Sequence, residues 1–277
     1  MTIVTPIAMF PAGAALSRPT RSAGPLGTSL MVARRSLLRG LRSPHVFMMG
    51  MTRGAIFLLI FRYVFGGAIS SGIRYVDFLV PGFVAVGVLF SGMTSATAVA
   101  EDVGAGLFDR LRSLPVSRLG IVAGRVIADT TLAGLGIAVT IAVGFAVGFR
   151  SSASVAELLA AVGLCLVAAF AFTWVFVTLG LVAGSPHAAQ GMALLVFPIA
   201  FVSSAFVPVE SMPGWMQAFA EHQPLTQLVN ATRAFAVGDT EAVLGHSAGY
   251  FAIRALLWCV AITLIFAPLA ATRYQRD

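Results

Sequence analysis

Six continuous apolar runs constrain the fold of this 277-residue chain more than any other feature. They cover residues 46–69, 78–100, 126–149, 158–184, 188–208 and 251–272. Each run is long enough to cross a hydrocarbon core of about 30 Å as an α-helix. Because the runs are continuous rather than alternating, helices are the only spanning structure they allow. With a mean hydropathy of +0.92, the sequence predicts an all-α, polytopic membrane protein with six transmembrane helices.

All 18 basic residues are arginine, and their distribution predicts the orientation of the chain. Six spans place both termini on the same side of the membrane. Arg53 and Arg62 lie within the first run. Of the other sixteen, twelve fall on the side of the termini, and the four on the other side are Arg74, Arg150, Arg233 and Arg254. Since basic loops stay in the cytoplasm, both termini are predicted to be cytoplasmic. The arginines lie beside apolar runs, so the net charge of +7 does not indicate nucleic-acid binding.

The absence of lysine excludes whole classes of chemistry. A P-loop needs a lysine to reach the nucleotide phosphates, so this chain cannot contain one. Three of the four histidines, His187, His222 and His246, are too scattered to predict a metal site. Residues 245–249 match the G-x-S-x-G pattern of hydrolases, but they precede an apolar span instead of joining a strand to a helix. We therefore expect no catalytic residues and no metal.

Several segments lie outside the spans. Residues 1–27 are rich in Pro, Gly, Ser and Thr and are predicted to be a disordered cytoplasmic N-terminus. Residues 28–45 interleave leucines with arginines, which favours an amphipathic helix at the cytoplasmic interface over a soluble arm. Residues 209–249 are predicted to form short helices that re-enter the outer leaflet around Trp215 and Pro224. Residues 273–277 are predicted to be a cytoplasmic tail.

The connection after the second run has its own apolar periodicity. Leu107, Phe108, Leu111 and Leu114 recur at helical spacing, and Pro115 is expected to end the helix. Such a short amphipathic helix can lie on the membrane or dock into a groove of a partner. The periodicity does not separate these two possibilities.

The same connection resembles the cytoplasmic signature of ABC-2 type permeases. The matching positions are Asp102, Gly106, Asp109, Arg110, Leu111 and Pro115. Residues 63–69 (YVFGGAI), 206–208 (FVP) with 212–215 (MPGW), and 223–226 (QPLT) with Arg233 beyond are similar to the daunorubicin-resistance permease branch, in the same order along the chain. The resemblance covers residues from about 28 to the C-terminus.

The resemblance implies an ABC-2 architecture over residues 46–272 and a role as the membrane subunit of a bacterial ABC exporter. The chain itself would not be an enzyme; a separate ATPase subunit would bind ATP and Mg²⁺. A second permease, identical or paralogous, would complete the transporter in the bacterial cell membrane, and a hydrophobic drug, antibiotic or lipid-like substrate would move outward. The coupling helix, about residues 102–118, would contact the ATPase through Asp102, Gly106, Leu107, Phe108, Asp109, Arg110, Leu111, Leu114 and Pro115.

Two charges interrupt the first run. Arg53 and Arg62, with Tyr63 beside the second, either face a substrate path or subunit interface or snorkel from the two ends of a short span. Arg125 and Asp129 are spaced to pair within one helix. The alternative function is an ion-coupled secondary transporter. It would need buried ionisable residues at the midplane, where the sequence offers little beyond Arg53, Arg62 and Asp129.

Overall fold

The computed structural model describes residues 25–41, 54–67, 73–107, 118–238 and 241–276. Within these ranges every regular element is helical. The helices are α1 (Pro25–Leu41), α2 (Gly54–Phe65, ending in a π-helical turn at Phe61–Phe65), α3 (Tyr75–Gly104), α4 (Arg118–Ala146), α5 (Val155–Val182), α6 (Pro186–Leu194), α7 (Val196–Phe201), α8 (Gly214–His222), α9 (Pro224–Val237), α10 (Glu241–Leu244) and α11 (Ala248–Arg276), with a 3₁₀ turn at Val209–Ser211.

The structure confirms the helical membrane fold. Four helices, α3, α4, α5 and α11, are long and apolar enough to cross a membrane, and they coincide with the second, third, fourth and sixth predicted spans. The helices in the first and fifth runs are shorter, at Gly54–Phe65 and Pro186–Phe201. Part of the first run lies outside the described residues. The count of six spans therefore stays a prediction.

The fifth run is divided by a break in its helix. Pro198 lies in this run, and the break falls just before it, between α6 and α7. Proline has no N–H to donate to the carbonyl four residues earlier, which here belongs to Leu194. The N–H of Leu195 instead donates to Met192 O at 3.2 Å, a tighter turn than an α-helix makes.

Helix α3 is the most buried of the four long helices, and two of its neighbours, α4 and α5, run in opposite directions. Its apolar window is 78% buried, whereas that of α11 is 17% buried. Helix α4 runs antiparallel to α3, while α5 runs parallel to it, since Gly144 meets Val80 and Gly180 meets Ala96. We call the end where α3 and α5 begin the distal end, and the end where they finish the proximal end. Helix α11 finishes at the proximal end.

The apolar core consists of two clusters at different positions between the distal and proximal ends. The larger apolar cluster joins α3, α5 and α9 over the distal and central parts of the bundle. A smaller cluster at the proximal end includes Val99, Ile121, Val126, Trp174 and Leu181. Helix α9 is largely buried against the bundle, whereas α8 exposes Trp215 and Phe219. Helices α8 and α9 lie within residues 209–249, where short helices were predicted, and α1 overlaps the predicted interface helix.

Candidate functional site

The connection predicted to couple to a partner lies at the proximal end. Helix α3 ends at Gly104, and Gly106 has φ +64°, a left-handed conformation that favours glycine after the end of a helix. Leu107, the last described residue on this side, is half-buried. The predicted coupling residues Phe108, Asp109, Arg110, Leu111, Leu114 and Pro115 lie outside the described residues.

An ion cluster joins the two helices that flank this connection. Arg125 of α4 donates from Nη1 to Asp102 Oδ2 at 2.7 Å and from Nε to Asp129 Oδ2 at 2.9 Å. Ser95 donates its hydroxyl to Asp129. Ser95 and Asp102 lie two turns apart on α3, and Arg125 and Asp129 lie one turn apart on α4. The antiparallel packing of the two helices therefore brings all four side chains together.

The cluster is largely shielded from water. The side chains of Arg125, Asp102 and Asp129 are 15%, 12% and 13% exposed. Charges shielded in this way are weakly screened by salt, and removing one partner leaves an uncompensated charge at a cost of about 3 kcal/mol or more. The cluster therefore favours one fixed arrangement of the proximal ends of α3 and α4.

Local spacing indicated only part of this cluster. The Arg125–Asp129 pair is present, as the four-residue spacing predicted. The hydrogen bond from Arg125 to Asp102 crosses between helices, and no local spacing in the sequence indicates it. The structure places the carboxylate of Asp102, one of the predicted coupling residues, against Arg125. The contact of Asp102 with an ATPase stays a prediction.

Helix α1 packs beside the same cluster, against α4. Gly124 makes this possible, because a Cβ at that position would come within 2.5 Å of Ser29 O and 2.9 Å of Val32 Cβ. Arg34 and Arg35 are exposed on α1, as are Leu30 and Met31. Helix α1 is thus fixed to the helix that carries Arg125 and still presents both apolar and cationic groups at its surface.

The second set of predicted site residues lies towards the distal end. Arg62 is half-buried in the π-helical turn of α2, with its guanidinium carbon 5.7 Å from the centroid of the Tyr63 ring. Its Nε is buried and has no hydrogen-bond partner among the described residues. Tyr63 is exposed. Arg53 lies outside the described residues.

The two sets of predicted residues are well separated. Phe61, next to Arg62, packs on Phe83 of α3 with ring centroids 5.8 Å apart. Nineteen residues of the same helix separate Phe83 from Asp102, which is about 28 Å at the rise of an α-helix. The structure therefore does not bring the Arg62 region and the proximal cluster into one site.

Arg233 of α9 is a buried cation, although charge counting along the sequence treats it as a loop arginine. This side chain has no exposed surface. It donates from Nε to Phe78 O at 3.0 Å, from Nη1 to Asn230 Oδ1 at 3.0 Å and from Nη2 to Ser204 O at 2.8 Å. Its guanidinium carbon lies 3.6 Å from the centroid of the Phe78 ring. Three separate segments are thereby held together by one side chain.

At the distal end, a second group of charged residues links the start of α3 to the backbone that follows α4. Arg74 binds Asp77 at 2.7 Å and donates to Gly148 O at 2.9 Å. The backbone N–H of Arg150 donates to the same aspartate at 3.2 Å. The hydrogen bond to Asp77 and the negative charge of that carboxylate raise the pKa of Arg74. Within the described residues, no group of His, Cys, Asp and Glu is arranged to hold a metal ion.

These features define a helical membrane protein with charged groups at both ends of an apolar bundle. The family model for ABC-2 type transporters matches residues 29–236. The chain therefore belongs to the ABC-2 type transporter family, as a permease subunit that is not itself catalytic.

Its relatives place it in the drug-resistance branch of that family. The chain is 33% identical, over 79% of its length and 76% of the relative, to the daunorubicin resistance ABC transporter permease protein DrrB1 of Streptomyces coeruleorubidus. It is 29% identical, over 68% of its length and 67% of the relative, to the probable doxorubicin resistance ABC transporter permease protein DrrC of Mycobacterium tuberculosis.

Proposed function

We propose that this chain is the permease subunit of an ATP-driven exporter in the bacterial cell membrane, which moves a hydrophobic drug, antibiotic or lipid-like substrate outward. The resistance permeases among its relatives support this substrate class. A separate ATPase would bind ATP and Mg²⁺, since a lysine-free chain cannot form a P-loop. A second permease, identical or paralogous, would complete the transport path. The ABC permeases among the relatives favour this function over an ion-coupled transporter.

The observation that supports coupling at the proximal end is the Asp102–Arg125–Asp129 cluster. It joins the helices on both sides of residues 102–118. If the two helices were not linked, an ATPase that displaced the connection could separate them instead of moving them together. Because an ion cluster holds these helices together, the same displacement would move α3 and α4 as one unit. Asp102 is then a positioning residue for the coupling segment.

The remaining predicted residues would form the contact itself. Leu107, Phe108, Leu111 and Leu114 would supply an apolar face for a groove of the ATPase. Asp109 and Arg110 would lie at the polar edge of this contact. Gly106 and Pro115 would set its limits, and the proximal end would be cytoplasmic.

Arg62 is the described residue that best fits a substrate path or a permease–permease interface. Its half-buried guanidinium has an unpartnered Nε, and the exposed ring of Tyr63 lies beside it. A π-helical turn is itself a common feature of functional sites. We propose that Arg62 and Tyr63, together with Arg53, face the substrate or the second permease.

A conservative change tests the role of the ion cluster. Asp102→Asn keeps the shape of the side chain but removes its charge, and Glu101→Gln changes an exposed neighbour in the same turn. We expect Asp102→Asn to lower transport by about tenfold, in line with the loss of a shielded charge pair, while the ATPase still co-purifies. Glu101→Gln should transport normally. Equal transport by both variants would contradict the role of the cluster.

Co-purification tests the docking face separately. The protein purified from native membranes should carry a near-stoichiometric P-loop ATPase, which is lost when Phe108 and Leu111 are both changed to Asp. A chain that purifies alone and transports with only an ion gradient would contradict the proposed function.

A further inference from the structure

A cavity of about 190 Å³ lies in the distal half of the bundle, between α3, α4, α5 and α9. Its lining includes Val80, Val84, Ile141, Phe145, Leu158 and Ala161. Thr232 is the one hydroxyl residue in the lining, and its Oγ already donates to Leu228 O at 2.8 Å. Water needs two or more polar partners to occupy a cavity, so this one favours hydrocarbon.

The cavity opens at the side of the bundle. Phe145, Val155 and Leu159 of its lining are exposed, so its mouth faces the surroundings of the helices. Val80 and Val84 lie six and ten residues after Arg74, or about 9 and 15 Å along the helix. This depth corresponds to the hydrocarbon of one leaflet, which is about 15 Å thick. Under the proposed orientation, this is the outer leaflet.

A cation lies directly beside the cavity. The exposed Arg150 donates from Nη1 to the carbonyls of two lining residues, Phe145 at 3.2 Å and Phe149 at 2.8 Å. Within the described residues, no carboxylate forms an ion pair with the Arg150 guanidinium. Asp77 pairs with Arg74, and the carboxylate of Glu157 accepts the N–H and the hydroxyl of Ser154, both at 2.7 Å.

We propose that this cavity and Arg150 form a binding site for an anionic phospholipid, with part of an acyl chain in the cavity and the phosphate on the guanidinium. An apolar cavity of about 150 Å³, engineered in another protein, binds benzene, so about 190 Å³ holds a short length of hydrocarbon. Drug-sized ligands occupy pockets of about 300–1,000 Å³. The size therefore favours a lipid chain over the transported substrate, and the site is independent of the proposed coupling to an ATPase.

Native mass spectrometry of the detergent-purified protein tests the site. With added phosphatidylglycerol, the wild-type chain should retain one lipid strongly, and phosphatidylcholine should be retained less. Ala161→Leu fills the cavity, and Arg150→Gln removes the cation. Each should weaken retention by about tenfold, as expected for loss of a charged hydrogen bond or of the chain site.

Two matched substitutions control for general effects. Ala142→Leu makes the same change at an exposed position of α4, one residue from Ile141 of the lining. Arg254→Gln removes another distal arginine, a half-buried one whose Nη1 donates to the Tyr250 hydroxyl at 2.7 Å. Both controls should retain lipid as the wild type does. Equal losses in variants and controls, or equal retention of the two lipids, would overturn the proposal.

A measurement on the wild-type chain keeps the test valid if a variant does not fold. Phosphatidylglycerol with a photoreactive group in its acyl chain should label peptides of α4 and α5 around Ile141 and Leu158. An excess of unlabelled phosphatidylglycerol should suppress that labelling. Labelling spread evenly over exposed apolar helices such as α11, or unaffected by the competitor, would show that no specific chain site exists.

Discussion

At the scale of single residues, Arg233 is the clearest case of a side chain whose role depends on distant parts of the chain. Its guanidinium is fully buried and makes hydrogen bonds to Phe78, Ser204 and Asn230. Arginine suits this position because its planar group offers five donors in a fixed geometry and stays charged. The Phe78 ring below the guanidinium adds a cation–π contact.

Replacing this arginine should destabilise the distal half of the bundle. Arg233→Met retains apolar bulk but leaves two carbonyls and an amide oxygen without their donor, which we expect to cost about 3 kcal/mol or more. Arg233→Lys should recover only part of this loss, since an ammonium group cannot match the fork of donors. Thermal unfolding in detergent measures both, with Arg254→Met, at a half-buried arginine, as the control. A Tm for Arg233→Met that equals the control would contradict this account.

At the scale of elements, the attachment of α1 to α4 depends on the absence of a side chain at Gly124. The backbone of Ser29 and the side chain of Val32 occupy the space that a Cβ would need. The attachment is therefore steric and specific to this position. It holds α1, which carries Arg34 and Arg35, next to α4, which carries Arg125.

Gly124→Ala should therefore move α1 away from α4. The backbone carbonyl of Ser29 cannot yield as a flexible side chain would, so the helices must separate. Hydrogen exchange should show faster exchange throughout α1 in this variant. Gly136→Ala is the matched control, since a Cβ at Gly136 of the same helix meets nothing within 4 Å. Unchanged exchange in Gly124→Ala would rule out the close packing.

The sequence predicted the elements unevenly, for physical reasons. Long apolar runs predicted α3, α4, α5 and α11 because a continuous run of that length can satisfy its backbone in lipid only as a helix. The fifth run was expected to be one spanning helix, whereas the structure has two short helices, α6 and α7. A hydropathy pattern counts apolar residues and does not show where a proline interrupts the hydrogen bonds.

At the scale of the whole molecule, the described chain begins and ends at the same end of the bundle. Helix α1 packs on the start of α4, and Ala270 of α11 belongs to the proximal apolar cluster. Because the sequence assigns twelve arginines to the side of the termini and four to the other side, we propose that this end is cytoplasmic.

Reporter fusions test that orientation. A fusion at Arg112 should report a cytoplasmic position and a fusion at Pro224 an external one. Fusions at Gly184 and Gly148 serve as matched controls, since they end helices at the proximal and distal ends respectively. The reverse pattern at both pairs of sites would overturn the orientation, and with it the placement of the proposed lipid site in the outer leaflet.

The sequence by itself determined the helical membrane fold, the resemblance to ABC-2 permeases and the local Arg125–Asp129 pair, because each follows from residues close together in the chain. Only the tertiary structure placed Asp102 against Arg125, 23 residues away, and Arg233 against Phe78, 155 residues away. It also decided that four separated helices enclose an apolar cavity. Such contacts depend on how the helices pack, and the period of a helix shows which residues share a face but not which neighbour that face meets.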